Sequence, residues 1–124
     1  MTQSLEDYLE MVSFLTDEGE VRVTDIASRL GVSKPSVLTA LRILEEQGLL
    51  EHGRYSSVAL TQAGISKAAE IRNRHHFLTA FLHEVVEVSW ETAERDACKM
   101  EHDLSEETLL KMKLLVQKKK AGYK

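Results

Sequence analysis

The fold of this 124-residue chain is decided by residues 24–60, which read TDIASRLGVSKPSVLTALRILEEQGLLEHGRYSSVAL. Two helical patterns of apolar residues meet at a glycine-containing turn, and Ser33 is a typical N-cap for the second helix. Pro35 stands in the first turn of that helix, where its missing N–H costs little, and Gly48 is suited to end it. Two short strand patterns then flank residues 53–56. Helix, turn, helix and hairpin in this order predict a winged helix-turn-helix.

Helical patterns also lie outside this stretch, and short polar residues mark where they begin. The predicted helices cover residues 4–16, run from a cap at Thr24 to Leu30, from Ser33 to Gln47, from Thr61 to about Val85, from Ser89 to about His102, and from Ser105 through Val116. The predicted fold class is therefore mostly α. It has an N-terminal winged helix-turn-helix with a small β-hairpin wing, followed by a helical region.

The helix that follows Ser33 carries side chains typical of contacts to DNA. In a helix-turn-helix, the N-terminal residues of the second helix face the bases of the major groove. The candidates for these contacts are Ser33, Lys34, Pro35, Ser36, Val37 and Thr39, with Val37 or Ala40 suited to a thymine methyl. Arg54 and Tyr55 at the wing tip are candidates for contacts to the DNA backbone or the minor groove. The candidates for phosphate contacts are Arg22, Arg29 and Arg42. We predict binding to double-stranded DNA; a winged helix used only for packing, or for binding a protein, is the alternative.

The net charge of −4 hides an uneven distribution of charged residues. Residues 20–74 carry eight bases and six acids, and this basic excess suits contact with phosphates. Residues 1–19 carry five acids and no Lys or Arg, and residues 75–105 carry seven acids against two bases. Acidic segments that meet in a fold repel each other unless a cation lies between them. The pattern therefore favours DNA as a partner of the middle of the chain and cations as partners of its flanks.

Composition argues against several classes of protein. No apolar run approaches the roughly 20 residues that span a bilayer, and the first residues lack the pattern of a secretory signal. Cys98 is the only cysteine, so we expect a cytoplasmic protein. A metal-dependent hydrolase would need an open coordination position and a substrate pocket, and no other feature of the sequence indicates them. We predict no enzymatic activity, no membrane association and no small-molecule substrate.

Residues 98–102, which read CKMEH, have the spacing of a metal-binding helix face. Cys98, Glu101 and His102 stand at i, i+3 and i+4, which share one face of an α-helix. Thiolate, carboxylate and imidazole together suit a first-row divalent metal. A small core residue is the ordinary role of an unbridged cysteine, so the spacing alone leaves a structural role open.

Three further residues in the acidic segments and their borders offer donors of the same kind. Asp7 and Glu10 stand at i and i+3 on the first predicted helix, and His75 lies on the fourth. Each has a structural interpretation as well: Asp7 as a capping acid, Glu10 as a solvated residue and His75 as part of a basic run. One or two divalent cations would relieve the excess of acid in both segments.

These motifs resemble the diphtheria toxin repressor/manganese transport regulator family of metal-dependent transcriptional repressors. The matching stretches are residues 4–10 (SLEDYLE), 23–27 (VTDIA), 60–64 (LTQAG), 74–75 (RH) and 97–105 (ACKMEHDLS). The resemblance implies a winged helix over residues 1–62 and a helical dimerisation and metal-binding domain over residues 63–124. It also implies a homodimer that binds a palindromic operator when metal is bound and controls genes of metal uptake or homeostasis.

The resemblance further implies which residues bind the metal. The main site would use Asp7, Cys98, Glu101 and His102, with Glu10 as an additional ligand and His75 in a neighbouring second site. Thr79 stands where family members often place a carboxylate, and Glu94 where the iron branch often has a histidine. The second site would therefore be weak, rearranged or dependent on Glu10 and Glu101. Because thiolate disfavours Mn²⁺ relative to softer metals, we expect Fe²⁺ rather than Mn²⁺, with Zn²⁺ or Co²⁺ able to bind in vitro.

Overall fold

Six helices and three short strands make up the part of the chain that the computed structural model describes, residues 3–53 and 57–120. In chain order they are α1 (Gln3–Glu18), β1 (Val21–Arg22), α2 (Val23–Leu30), α3 (Lys34–Glu46), β2 (Leu50–His52), β3 (Ser57–Leu60), α4 (Gln62–Glu84), α5 (Trp90–Met100) and α6 (Glu106–Lys120). The chain divides into two compact units, Met1–Arg72 and Asn73–Lys124, so the division falls inside α4. The mostly helical fold class is confirmed, whereas the domain boundary after residue 62 stays a prediction.

Local capping explains where the helices of the helix-turn-helix begin. Ser33 precedes α3, and its Oγ accepts a hydrogen bond from the N–H of Ser36 at 3.3 Å, as predicted. The cap predicted at Thr24 is wrong, because α2 already includes that residue. Asp25 is the acid that stabilises this helix start, since its carboxylate accepts the N–H of Arg22 at 3.1 Å.

The wing is part of a three-stranded antiparallel sheet with the order β1-β3-β2, rather than a hairpin alone. β2 and β3 form the predicted hairpin, and β1 adds the pair Val21–Val58 on the other side of β3. An isolated hairpin is marginal in water, and β1 supplies the third strand. The sequence of residues 21–23 favours a short strand, but a pattern of this length does not predict its pairing with β3. Arg54 and Tyr55, at the predicted wing tip, lie outside the described residues.

Apolar side chains from α1, α2, α3, the sheet and the first part of α4 form the core of the first unit. The fully or nearly fully buried members include Leu9, Val12, Ile26, Val37, Leu41, Leu44, Leu50, Val58 and Ile71. Those of α3 recur at helical spacing and turn one face of this helix inward. The opposite face of α3 is therefore left exposed.

Backbone contacts join the start of α4 to the segment that follows α3. The Thr61 hydroxyl donates to the carbonyl of Gly48 at 2.6 Å and accepts the N–H of Gly64 at 3.1 Å, so the predicted cap is confirmed. The Thr61 N–H donates to the carbonyl of Leu49 at 3.1 Å. Gly64 lies so close to that carbonyl that a Cβ would overlap its oxygen. Glycine is required at position 64 by this close approach of two backbones.

The second unit contains the end of α4, α5 and α6. Ser89 and Ser105 cap α5 and α6, as predicted, each accepting the N–H of the residue three positions on, at 3.2 and 3.1 Å. Leu78, Ala93 and Ala97 are buried, whereas no residue of α6 is. None of the described helices is long and apolar enough to cross a membrane.

Candidate metal centre and nucleic-acid interface

The carboxylate of Glu101 lies between two imidazoles in the second unit. His75 Nδ1 is 2.7 Å from Glu101 Oε2, and His102 Nε2 is 3.2 Å from Glu101 Oε1. His75 comes from α4, whereas Glu101 follows α5 and donates its N–H to the carbonyl of Ala97 at 2.9 Å. The side chains of Glu101 and His102 are only 2% and 1% exposed. A buried acid is thus flanked by nitrogen donors that lie 26 residues before it and one residue after it in the chain.

Burial raises the pKa of the Glu101 carboxyl above its ordinary value, because the charged form loses its hydration. The neighbouring His75, followed by His102 and Arg74, acts in the opposite direction on this pKa. Arg74 was not among the predicted site residues, and its place beside His75 in the sequence was the signal available. A buried carboxylate is tolerated where positive charge or hydrogen-bond donors compensate it, so this position favours a cation.

Cys98 has different surroundings from Glu101 and His102. α5 ends at Met100, Glu101 keeps αR backbone angles as its C-cap, and a turn covers residues 101–103. Cys98 is exposed, whereas the other two side chains are buried. Exposure therefore differs among the three predicted ligands, and their role as one metal-binding helix face stays a prediction.

The position predicted for a second site contains no extra carboxylate. Thr79 is buried, and its hydroxyl donates to the carbonyl of His75 at 2.9 Å. Glu94 is exposed on α5. His75, which the resemblance assigns to the second site, contacts Glu101 of the main site directly. Within this unit, the two predicted sites would therefore share one carboxylate.

Asp7 and Glu10 lie on α1 in the first unit, and each is partly buried. Glu6 on the same helix is buried, although nothing in the sequence distinguishes it from its acidic neighbours. Across residues 3–53 and 57–120, no three or more His, Cys, Asp or Glu side chains are grouped so that they could hold a metal ion. The six-residue ligand set stays a prediction.

The donor types of the Glu101 cluster, defined as His75, Glu101 and His102, nevertheless suit a divalent transition metal, although the three side chains are not arranged to hold one. It offers imidazole nitrogen and carboxylate oxygen, the donors that Mn²⁺, Fe²⁺ and Zn²⁺ accept. Each Glu101 oxygen already faces an imidazole nitrogen, so these donors now contact one another. Metal binding would require the same atoms to turn to the ion and the imidazoles to be neutral.

The exposed face of α3 is the candidate surface for DNA bases. Val37 is 0% exposed and Ala40 is buried, so neither side chain reaches a base, and the prediction for both is wrong. The helical period explains the error, since both positions lie on the inward face. Leu38 is the exposed apolar residue of this helix and was not predicted as a contact. Lys34, Pro35, Ser36, Thr39 and Arg42 are exposed, as is Ser33 at the cap.

Two of the predicted phosphate contacts pair with acids in the first unit. Arg29 Nη2 is 2.8 Å from Glu18 Oε2, and Arg22 Nη2 is 3.7 Å from Glu20 Oε2. All four side chains are more than half exposed, and such pairs contribute only about 0–1 kcal/mol. Both arginines can therefore exchange their carboxylate for a phosphate at little cost.

Two family models match almost the whole chain. The model described as "Iron dependent repressor, N-terminal DNA binding domain" matches residues 1–58. The model described as "Iron dependent repressor, metal binding and dimerisation domain" matches residues 61–121. The Glu101 cluster lies in the second match and α3 in the first.

Individual proteins show the same similarity. The transcriptional regulator MntR of Escherichia coli O6:H1 is 46% identical over 92% of this chain and 74% of its own length. The HTH-type transcriptional regulator MntR of Geobacillus kaustophilus is 35% identical over 94% of this chain and 82% of its own. A solved manganese-dependent transcriptional repressor in complex with manganese has a TM-score of 0.76 at 28% identity, covering 97% of this chain. This chain spans about half, 53%, of that solved chain.

Proposed function

The chain belongs to the iron-dependent repressor family of metal-dependent transcriptional regulators, and on that premise we propose that it binds operator DNA as a homodimer when a divalent metal is bound. Its relatives are transcriptional regulators, which confirms the expectation of a non-enzyme. The observation that carries the proposal is the buried Glu101 carboxylate between His75 and His102. We also propose that the protein is cytoplasmic and that it controls genes of metal uptake or homeostasis.

The proposed ligands are drawn from both compact units. Asp7 and Glu10 belong to α1 of the first unit, and His75, Cys98, Glu101 and His102 belong to the second. A metal would supply the positive charge that these acids require. Metal binding is proposed to favour one arrangement of the homodimer. DNA selects one arrangement of the two recognition helices of a dimer, so metal and DNA would each raise the affinity for the other.

We propose Mn²⁺ as the activating metal. The preference predicted for Fe²⁺ rested on the Cys98 thiol, and it has no support among the relatives. One relative with 28% identity is a manganese-dependent repressor solved with manganese. Carboxylate oxygens from Asp7, Glu10 and Glu101 suit this hard cation. Zn²⁺ and Co²⁺ remain expected occupants in vitro, because imidazole and thiolate bind them well.

The second unit is the part of the chain proposed to join two copies. It exposes several large apolar side chains, which are Val86, Trp90, Leu110, Leu114 and Leu115. Where exposed apolar side chains are contiguous, they mark surfaces that another protein covers. The match of residues 61–121 to a dimerisation domain supports a second copy of this chain as that protein.

The proposal is tested by capture of random-sequence DNA duplexes on the full chain, in Mn²⁺, in Fe²⁺ without oxygen, in Zn²⁺, in Co²⁺ or in chelator. We expect Mn²⁺ to enrich an inverted repeat, since a two-fold symmetric dimer reads two equivalent half-sites. Affinity for the enriched duplex should be about tenfold or more higher with Mn²⁺ than with chelator. Equal enrichment in chelator would instead identify a metal-independent regulator, and activation by Fe²⁺ at lower concentration than Mn²⁺ would reverse the metal preference.

A further inference from the structure

Leu38 is placed unlike the other leucines of α3. Leu41 and Leu44 are buried in the core of the first unit, whereas Leu38 is 44% exposed. It lies four residues after Lys34 and four before Arg42, and all three side chains are exposed. Residues four apart on a helix are neighbours on its surface. An exposed leucine therefore stands between two cations on the face of α3 that is turned away from the core.

The polar side chains near Leu38 have hydrogen bonds within their own helix. The Thr39 hydroxyl donates to the carbonyl of Pro35 at 3.0 Å. The hydroxyls of Ser33 and Ser36 are bonded to each other at 2.9 Å, so one of their two protons is engaged there. These bonds reduce the number of hydroxyl donors available to base edges. Apolar contacts are therefore relatively more important for base recognition by this face.

We propose that Leu38 recognises the C5-methyl group of a thymine in each half-site of the DNA. This inference rests on the proposed function, because it requires α3 to enter the major groove. Among the groups that base pairs present in that groove, the thymine methyl is the apolar one. A leucine has no hydrogen-bonding group, so any base preference that it confers is a preference for thymine. Lys34 and Arg42 on either side can hold the helix to the phosphates that flank this base.

The experiment combines a change in the protein with a change of a single methyl group in the DNA. The probe is the duplex that the wild-type chain enriches in Mn²⁺, made with thymidine or with deoxyuridine at one position in both half-sites. Fluorescence anisotropy measures its affinity for wild type, Leu38→Ala and Ile65→Ala. Ile65 is a matched control, since it is 50% exposed but lies on α4. Alanine at position 38 is a strong helix former at an exposed site, so the variant should fold.

For wild type, loss of the recognised methyl should weaken binding about fourfold for each half-site, the value expected for one buried methyl or methylene group. Leu38→Ala should bind the thymidine duplex more weakly than wild type does, by the same factor. Its affinity should not fall further when deoxyuridine replaces that thymidine, whereas Ile65→Ala should behave as wild type. The inference is overturned if Leu38→Ala responds to every deoxyuridine as wild type does. Failure of the wild-type chain to enrich any duplex would be a failure of the proposed function instead.

Discussion

Replacement of Glu101 by glutamine is expected to lower the affinity for Mn²⁺ by about 100-fold or more, since loss of groups that only orient a ligand already costs about 10–100-fold. The amide keeps the size of the carboxylate and its ability to hydrogen-bond, but it removes the negative charge that would bind the cation. The fold should survive, because a neutral amide is less costly to bury than a carboxylate. Titration calorimetry with Mn²⁺ measures the affinity, and circular dichroism checks the fold.

Glu91→Gln provides the matched control for this variant. It removes the same charge from the same region of the chain, but Glu91 is exposed on α5 and has no part in the Glu101 cluster. Its Mn²⁺ affinity should stay close to that of wild type. The assignment of Glu101 as a ligand is wrong if Glu101→Gln binds Mn²⁺ as tightly as Glu91→Gln does.

Gly64→Ala is expected to destabilise the first unit by about 3 kcal/mol, the upper part of the range for overpacking. In an ordinary helix the same change stabilises by about 0.5–1 kcal/mol, so the sign itself is informative. Here the added Cβ would overlap the carbonyl oxygen of Leu49, and backbone cannot rotate away as a flexible side chain can. Thr61 holds the two backbone segments of this contact together through its hydrogen bonds to Leu49 and Gly48, so the backbone has little room to move apart.

Urea unfolding followed by circular dichroism measures this loss of stability. Gln62→Ala is the control, because Gln62 is exposed in the same turn of α4. The free energy of unfolding of the control should differ from that of wild type by no more than about 0.5 kcal/mol. An increase in stability in Gly64→Ala would mean that α4 does not approach the Leu49 backbone as closely as described.

Local sequence chemistry predicted most of the fold. Ser33, Thr61, Ser89 and Ser105 each begin the helix that was expected of them, because a capping side chain acts on N–H groups within three residues. The cap predicted at Thr24 was wrong, because α2 begins one residue earlier and the Asp25 carboxylate accepts the N–H of Arg22 at its start. Capping rules predict the start of a helix where one side chain can cap it, and they fail where two neighbouring residues compete for that role.

The arrangement of the candidate site was harder to predict from the sequence than the fold was. The spacing of residues 98–102 drew attention to Glu101, but not to its contact with His75, which depends on how two helices pack. Cys98 is exposed, whereas Glu101 and His102 are buried, and spacing along a helix does not reveal this difference. On α3, the rule that N-terminal residues face DNA selected Val37, whereas the helical period places it in the core.

Metal binding and DNA binding are proposed to be coupled, and this is tested most directly by the Mn²⁺ affinity of the wild-type chain with and without the enriched duplex. Electron paramagnetic resonance of the unbound ion gives this affinity in both states. We predict that saturating duplex raises it by the same factor by which Mn²⁺ raises the affinity for DNA, about 5–150-fold, because linkage is reciprocal. An Mn²⁺ affinity that is unchanged by the duplex would show that metal and DNA bind independently.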